Sequence, residues 1–372
     1  MGRGGDGKVN GVKRSRRESN ISVVHANGTA ASRFRHLHPA YIANMRIQTA
    51  LLGLCLVTCS DPSDPHLVAR NPAPATLAAL TAKPAPVVLI TVDGVRWQDV
   101  YSAVDESLGF GGGYMPVLRD MVTHKGAMLG APGHGRIDAS GPNFVSMPGY
   151  TEIFTGRVPS CTDNDCGRPE HATFLEELAA RGANVAVFAS WEKVGQAVSH
   201  TPPLFFVSAG RPDGDTQSPF PGGGAYRPDE STMELSLSYL RDNQPDVLVI
   251  SLGDTDEYAH HGNLRGYNAA LTRVDQFIGR VNETLSHMGE RGAATHLFVT
   301  TDHGRGQGFN DHGGKYPESG RVWLAAMGPR ITSRGFVSGR AHHLRDLAGT
   351  IVAVATKDEP APQDSLSELL AQ

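Results

Sequence analysis

The sequence predicts an α/β fold: a single domain with a largely parallel central sheet and helices on both of its faces. Three observations carry that expectation. Short apolar, β-branched runs recur along the chain and end in turns rich in Gly and Asp. Stretches with apolar residues at helical spacing separate them, which is the alternation of a parallel sheet. The chain has 372 residues, 40% of them hydrophobic and 19% charged, enough to cover a sheet on both sides.

Taken in order, residues 87–91 read as a buried strand ending at Asp93-Gly94, and residues 115–125 and 147–154 as helices. Residues 174–181 are helical and 184–189 a strand. Residues 246–252 (DVLVISL) form another buried strand, ending at Gly253-Asp254. Leu271, Val274, Phe277, Ile278 and Val281 mark one face of a helix over 264–287. Residues 296–300 are a strand running into Thr301-Asp302-His303-Gly304, residues 322–327 a last strand and 344–355 a last helix. Residues 195–230, with Pro202-Pro203, Phe205-Phe206 and three glycines at 222–224, read as an irregular insertion over one end of the sheet.

The flanks differ in composition. Residues 1–44 are polar and read as a mis-called or disordered extension, because an export signal begins at Met45. Residues 45–59 carry one basic residue, an apolar stretch to Val57, and then Thr58-Cys59, a lipoprotein-type processing box. Residues 60–84 are a Pro/Ala-rich linker, 85–358 the folded domain and 359–372 a C-terminal tail. The expected location is outside the cytoplasm, periplasmic or anchored to a membrane through lipid on Cys59. Residues 1–58 hold nine Lys/Arg against two Asp/Glu, so the remainder carries a net charge of −11, which argues against nucleic-acid binding. Cys161 and Cys166 bracket a four-residue loop and, after export, are placed to form a small disulfide.

Chemistry concentrates where three strands end. In parallel sheets, functional groups gather at the carboxyl ends of the strands. Here those ends carry Asp93, the pair Asp254 and Asp256, and Asp302. Each aspartate alone reads equally well as a turn or helix cap. The histidines change the balance: His260 lies four residues after Asp256, His303 follows Asp302, and His312 sits in Asp311-His312-Gly313-Gly314. Aspartate and histidine without cysteine make a ligand set for Zn²⁺, Mn²⁺ or Fe. Asp93, Asp256, His260, Asp302, His303 and His312 are too many for one tetrahedral ion and suit two, roughly 4 Å apart.

These four pieces, Asp93-Gly94, Asp256–His260, Asp302-His303-Gly304 and His312-Gly313, stand in an order that resembles the alkaline phosphatase superfamily, in particular its type I phosphodiesterase/nucleotide pyrophosphatase branch. The resemblance runs from about residue 87 to 355. It implies an alkaline-phosphatase-like fold and a hydroxyl nucleophile at a helix start ahead of a Thr-Gly pair. Ser146, followed by Thr155-Gly156, fits that frame. It further implies that Asp93, Asp302, His303 and Ser146 hold one divalent ion and Asp256, His260 and His312 the other, Zn²⁺ first and Mn²⁺ or Fe as alternatives. The activity implied is hydrolysis of small phosphate esters, diesters ahead of monoesters, through a phosphoseryl intermediate.

Asn143 and Lys193 are weaker candidates for contact with the substrate, and a loop-structural Asn143 or a solvated Lys193 is as good a reading. Ser146 also reads as a helix N-cap when considered alone. A sulfatase reading lacks the arginine of the Ser/Cys-x-Pro-x-Arg frame, since position 150 is Tyr150. A phosphoglycerate-mutase-like enzyme requires a large inserted domain, and only 109 residues separate Ser146 from Asp256. A serine esterase lacks its Gly-x-Ser-x-Gly turn. A non-catalytic surface lipoprotein on the same fold would have eroded ligands.

Overall fold

Eight strands make the central sheet: β1 (Val87–Val92), β2 (Gly126–Leu129), β3 (Val185–Ala189), β4 (Phe206–Ala209), β5 (Val247–Leu252), β6 (His296–Thr300), β7 (Leu324–Met327) and β8 (Gly335–Phe336). Their order across the sheet is β8-β2-β7-β6-β1-β5-β3-β4. β1 pairs in parallel with β5 and β6, β3 in parallel with β5 and β4, and β2 in parallel with β8; β7 runs antiparallel to β6 and β2. These features belong to a computed structural model that describes residues 83–101, 104–105, 110–111, 115–211, 226–356 and 365–370. The expected extension at 1–44, the signal at 45–59 with Cys59, and the linker up to residue 82 lie outside the described residues.

β1 and β5 are buried along their whole length, which requires cover on both faces. Alternate side chains supply it. Val87, Leu89, Val185, Val187, Val247 and Val249 pack with Met147, Ile153 and Phe154 of helix α2 (Ser146–Thr155), and with α3 (Phe174–Ala180) and α7 (Asp346–Ala355). Val88, Ile90, Phe188, Leu248 and Ile250 face the other way, toward α1 (Pro116–Lys125), α4 (Asp229–Asn243) and α6 (Leu264–Ser286). In α6 the five apolar residues of the sequence pattern are all buried, and the Asn263 side chain accepts from Gly266 N at the helix start. Tight register brings the strand ends together, since Thr91 of β1 is opposite Ser251 of β5 and Thr300 of β6. The segments carrying Asp93, Asp256 and Asp302 therefore leave the sheet side by side.

Four features depart from the sequence expectation. Within 195–230, Phe206–Ala209 is the edge strand β4 rather than irregular chain; residues 212–225 of that stretch lie outside the described residues. Gly126–Leu129 is a buried strand without a β-branched residue. The polar run Asp254–His260 is a short helix, α5, where the sequence reading had only a turn. The domain also extends past 358: Leu366 and Leu369 are buried in the same core, and Leu366 N donates to Thr350 Oγ1 at 2.9 Å. Cys161 and Cys166 are joined by a disulfide.

Candidate active site

Helix α2 begins at Ser146, and Ser146 is not its cap. The preceding Val145 makes no side-chain cap, and the Met147 N–H is met instead by Asn164 Oδ1 at 3.0 Å. The Ser146 hydroxyl is thereby left for other partners. It lies 3.3 Å from Asp93 Oδ1 and 3.3 Å from His303 Nε2, and the residue is buried. Gly149, one turn into the helix, lets α2 close on the strand end: a Cβ there would stand 2.5 Å from the Asp302 carbonyl oxygen.

Asp93, Asp302 and His303 form one cluster, with one ligand atom from each lying within 4.8 Å of the others. His303 Nε2 is 3.4 Å from Asp93 Oδ1 and 3.5 Å from Asp302 Oδ2. The other ring nitrogen, Nδ1, donates to the Gly304 carbonyl at 2.8 Å, leaving Nε2 aimed into the cluster. That arrangement, one imidazole nitrogen on a backbone carbonyl and the other turned toward the carboxylates, is how metal-ligating histidines are oriented. Asp93 Oδ2 accepts from the Tyr150 hydroxyl at 3.1 Å, and Asp302 Oδ1 accepts from Gly94 N at 3.1 Å. Asp302 Oδ2 is buried without a hydrogen bond. Burial, and then the neighbouring Asp93 carboxylate, push the Asp302 carboxyl well above the usual carboxylate range. Burial alone would lower His303, but Asp302 and Asp93 carry it up to about 9. An orphaned buried carboxylate oxygen beside a second carboxylate is a position that a divalent cation satisfies.

The second cluster is Asp256, His260 and His312. One turn of α5 places His260 Nε2 3.0 Å from Asp256 Oδ2. His312 arrives from the glycine-rich loop; its Nδ1 donates to the Phe144 carbonyl at 2.8 Å, and its Nε2 lies 3.0 Å from His260 Nε2. Two imidazole nitrogens converging on a carboxylate again fit a cation. Burial, then the charge of His303, lower His312 to about 3, so it stays neutral and able to ligate. The His303 and His312 rings stack at 4.0 Å between centroids, joining the two clusters. The chemistry of both donor sets suits Zn²⁺, Mn²⁺ or Fe.

A cavity of about 320 Å³ opens over this floor, lined by Asp93, Ser146, Asp256 and His260 together with Asn164, Trp191, Lys193, Tyr226 and Glu257. Lys193 is thus in the cavity wall, with its ammonium on the Asn164 carbonyl at 2.6 Å and Asp165 at 3.1 Å. Asn143 is tied into the loops: its amide donates to the Thr162 carbonyl at 2.5 Å and accepts from Gly314 N at 2.6 Å. His261 faces the Glu257 carbonyl, outside the cluster. Asp254 accepts from the Tyr226 hydroxyl, and Asp311 from Tyr316, so neither belongs to a ligand set. Burial first, then Asp256, raise Glu257 to about 7.

Sequence reasoning missed Asn164, Tyr150 and Arg305. Arg305 is fully buried and bonds Asp256 Oδ1. Only its place directly after Asp302-His303-Gly304 hinted at a role.

A family profile described as the Metalloenzyme superfamily matches residues 221–356. The 2,3-bisphosphoglycerate-independent phosphoglycerate mutase of Natronomonas pharaonis is 27% identical over 129 residues, 34% of this chain and 24% of that enzyme. The corresponding enzyme of Nitrosococcus oceani is 23% identical over 237 residues, 61% of this chain and 43% of that enzyme. The chain thus spans less than half the length of either of these curated relatives. Among solved structures, a putative sulfatase of Bacteroides thetaiotaomicron superposes with a TM-score of 0.56 at 14% identity, over 77% of this chain and 75% of that one. Murine ectonucleotide pyrophosphatase/phosphodiesterase 5 gives 0.53 at 11% identity, over 77% and 100%. A protein in the alkaline phosphatase superfamily from Vibrio parahaemolyticus gives 0.53 at 16%, over 74% and 68%. At these identities the structural likeness establishes the fold.

Proposed function

We propose that the chain is a member of the alkaline-phosphatase-like metalloenzyme superfamily and an exported two-metal hydrolase of phosphate esters, chiefly diesters, acting through a phosphoseryl intermediate on Ser146. The observation that carries the proposal is the Ser146 hydroxyl held 3.3 Å from both Asp93 and His303, at a helix start, on the floor of a cavity shared with the second cluster.

Asp93, Asp302, His303 and Ser146 would hold one ion; Asp256, His260 and His312 the other. When bound, such ions supply Lewis acidity, favouring an alkoxide at the nucleophile and neutralising phosphoryl oxygens. The chain's own residues do the rest. Gly304 and Phe144 keep His303 and His312 in the ligating tautomer through their carbonyls. Asn164 caps α2 and so fixes the rotation of Ser146. The start of α2 favours a phosphoryl anion beside Ser146. Ser146 Oγ bonds to phosphorus while the P–O bond to the ester oxygen breaks in line, and the serine proton ends on that leaving oxygen through solvent, so that the product departs as the alcohol. Water then cleaves the Oγ–P bond, returning the hydroxyl and releasing the phosphate product.

Rival readings meet specific obstacles. Where a sulfatase frame calls for arginine, Tyr150 is buried and donates to Asp93. Between Ser146 and Asp256 the described residues are α3, β3, β4, α4 and β5, elements of the main domain. The inserted domain that a mutase reading requires would have to come in addition to these elements. The Lys193 ammonium is engaged by Asn164 and Asp165, and Arg157 lines a different cavity, so the extra cation expected for a monoester dianion is lacking among these two. A non-catalytic surface lipoprotein gives no reason for six converging ligands. Turnover of aryl phosphate diesters and monoesters, a phosphonate monoester and an aryl sulfate, each with Zn²⁺ or Mn²⁺, tests the proposal. Diester hydrolysis above the rest supports it; sulfate hydrolysis above the rest replaces it. Export is part of the same proposal: after expression in a bacterium the chain should lose the residues before about Cys59, and mass spectrometry showing 1–58 retained would remove that part.

A further inference from the structure

The two ligand clusters differ in a residue that neither the ligand set nor the nucleophile explains. Arg305 has no exposed side-chain surface, yet its side chain is a guanidinium, a cationic group with no acceptor. Its guanidinium is held by the backbone on two edges: Nε donates to the Phe309 carbonyl at 2.6 Å and Nη2 to the Asn310 carbonyl at 2.5 Å. The third donor, Nη1, rests on Asp256 Oδ1, while Asp256 Oδ2 faces His260. The pair occupies the space left by a glycine: a Cβ on Gly94, whose φ is +62°, would strike both Asp256 Oδ1 and Arg305 Nη1. Arg305 is therefore built in, and the two carbonyls keep it in place when a second cation arrives.

Its charge falls on one cluster. Asp93 and Asp302 give the Ser146 side two carboxylates with no guanidinium on either among the bonds described. The His260 side has one carboxylate, and that one is shared with Arg305. A fixed like charge beside a metal site opposes the ion, and the opposition is strong where water is excluded.

We infer that Arg305 sets the two sites apart, acting through Asp256: it leaves that carboxylate one oxygen for the ion and makes the ion at Asp256, His260 and His312 the weakly held, exchangeable one. The inference rests on the two-metal reading above. It makes Arg305 a positioning and charge-setting residue, and it means that substrate arrives at an enzyme whose second ion equilibrates with the medium.

The test is an equilibrium titration of the chelator-stripped full chain with Zn²⁺ in competition with a chromophoric chelator, a readout independent of turnover. The wild type should take up two equivalents in two steps, and His260→Ala should abolish only the weaker. Arg305→Gln should tighten the weaker step on the order of tenfold or more and leave the stronger within about threefold. Arg305→Lys, which keeps the charge, should stay near wild type. A weaker step that Arg305→Gln leaves unchanged or loosens overturns the inference, as does loss of the tight step in His260→Ala. The His260 result decides the order of the sites even where Arg305→Gln fails to fold. Uptake of fewer than two equivalents would sink the two-metal reading as well, whereas two equal steps sink this inference alone.

Discussion

Two clusters made of nearly the same side chains lie one stacked imidazole pair apart, and they are constructed differently. Asp93, Asp302 and His303 follow directly from β1 and β6, are buried, and are tied to backbone through Gly94 and Gly304. Asp256 and His260 come from a seven-residue helix and His312 from a loop, and the His260 side chain is 42% exposed. Strand ends in the middle of a sheet cannot move without disturbing the core, whereas a short helix and a loop can. On the proposed mechanism, the first cluster would hold the nucleophile in one geometry, and the second would have more freedom to adjust.

The contrast orders the expected effects of mutation. The largest belongs to the buried cluster and its serine. Ser146→Ala should keep the fold and the metal yet lose on the order of 10³-fold or more in kcat, because a positioned water can replace only part of the nucleophile's work. A helix-cap role predicts instead a stability loss of about 1 kcal/mol with near-normal rates. A folded, metal-replete alanine variant within tenfold of wild type would break the comparison at its strong end.

Next comes the cluster that includes the exposed His260. His260→Ala should lower kcat/KM by on the order of 10²-fold or more, since changes merely in the partners of metal ligands cost about 10–100-fold, and excess Zn²⁺ should restore part of it. The same treatment should do nothing for Asp302→Asn, whose ligand set is buried. Equal rescue of both variants would erase the distinction.

A smaller effect is expected at Asn164, which ties the disulfide loop to the start of α2. Asn164→Ala should cost about 1 kcal/mol of stability, in line with a lost cap, and lower turnover further than that stability loss explains. A stability loss with unchanged turnover per folded molecule would show that Ser146 needs no help from the loop.

The smallest effect is a control remote from both clusters. Glu176 closes the capping box of α3, and although burial opposes it, hydrogen bonds from Thr173, His200, Thr201 and Ser199 lower its carboxyl to about 2. A carboxylate depressed in the folded state adds stability above its unfolded value, and that stability is lost as pH falls toward 2. Glu176→Gln should therefore cost about 1 kcal/mol near neutral pH and progressively less between about pH 4.5 and 2, as followed by chemical denaturation. A cost that does not shrink with acid would contradict the assignment.

The buried cluster was the more legible of the two in sequence. Asp93 and Asp302 follow short, fully buried runs, VVLITV and HLFVT with Thr301, and a buried parallel strand announces its own end. Asp256 and His260 were readable by their four-residue spacing, although the helix that creates it was not, because Asp254–His260 is too polar and short to show periodicity. Burial of a charged side chain leaves no mark in a single sequence, and so Arg305 passed unnoticed. Asn164 was hidden for another reason: its partner Met147 lies 17 residues away and meets it only through folding of the loop. β4 escaped because a half-exposed four-residue edge strand after Pro202-Pro203 looks like loop.

The central claim is that two ions sit in two distinct clusters around Ser146. Anomalous diffraction at the zinc edge, from crystals of the full chain grown with Zn²⁺, addresses it directly. The account predicts two peaks, one among Asp93, Asp302 and His303 within reach of Ser146 Oγ, and one among Asp256, His260 and His312. The second peak should fade first on a brief chelator soak. Zinc absent from both clusters, or bound with Ser146 turned away from the first, would contradict it.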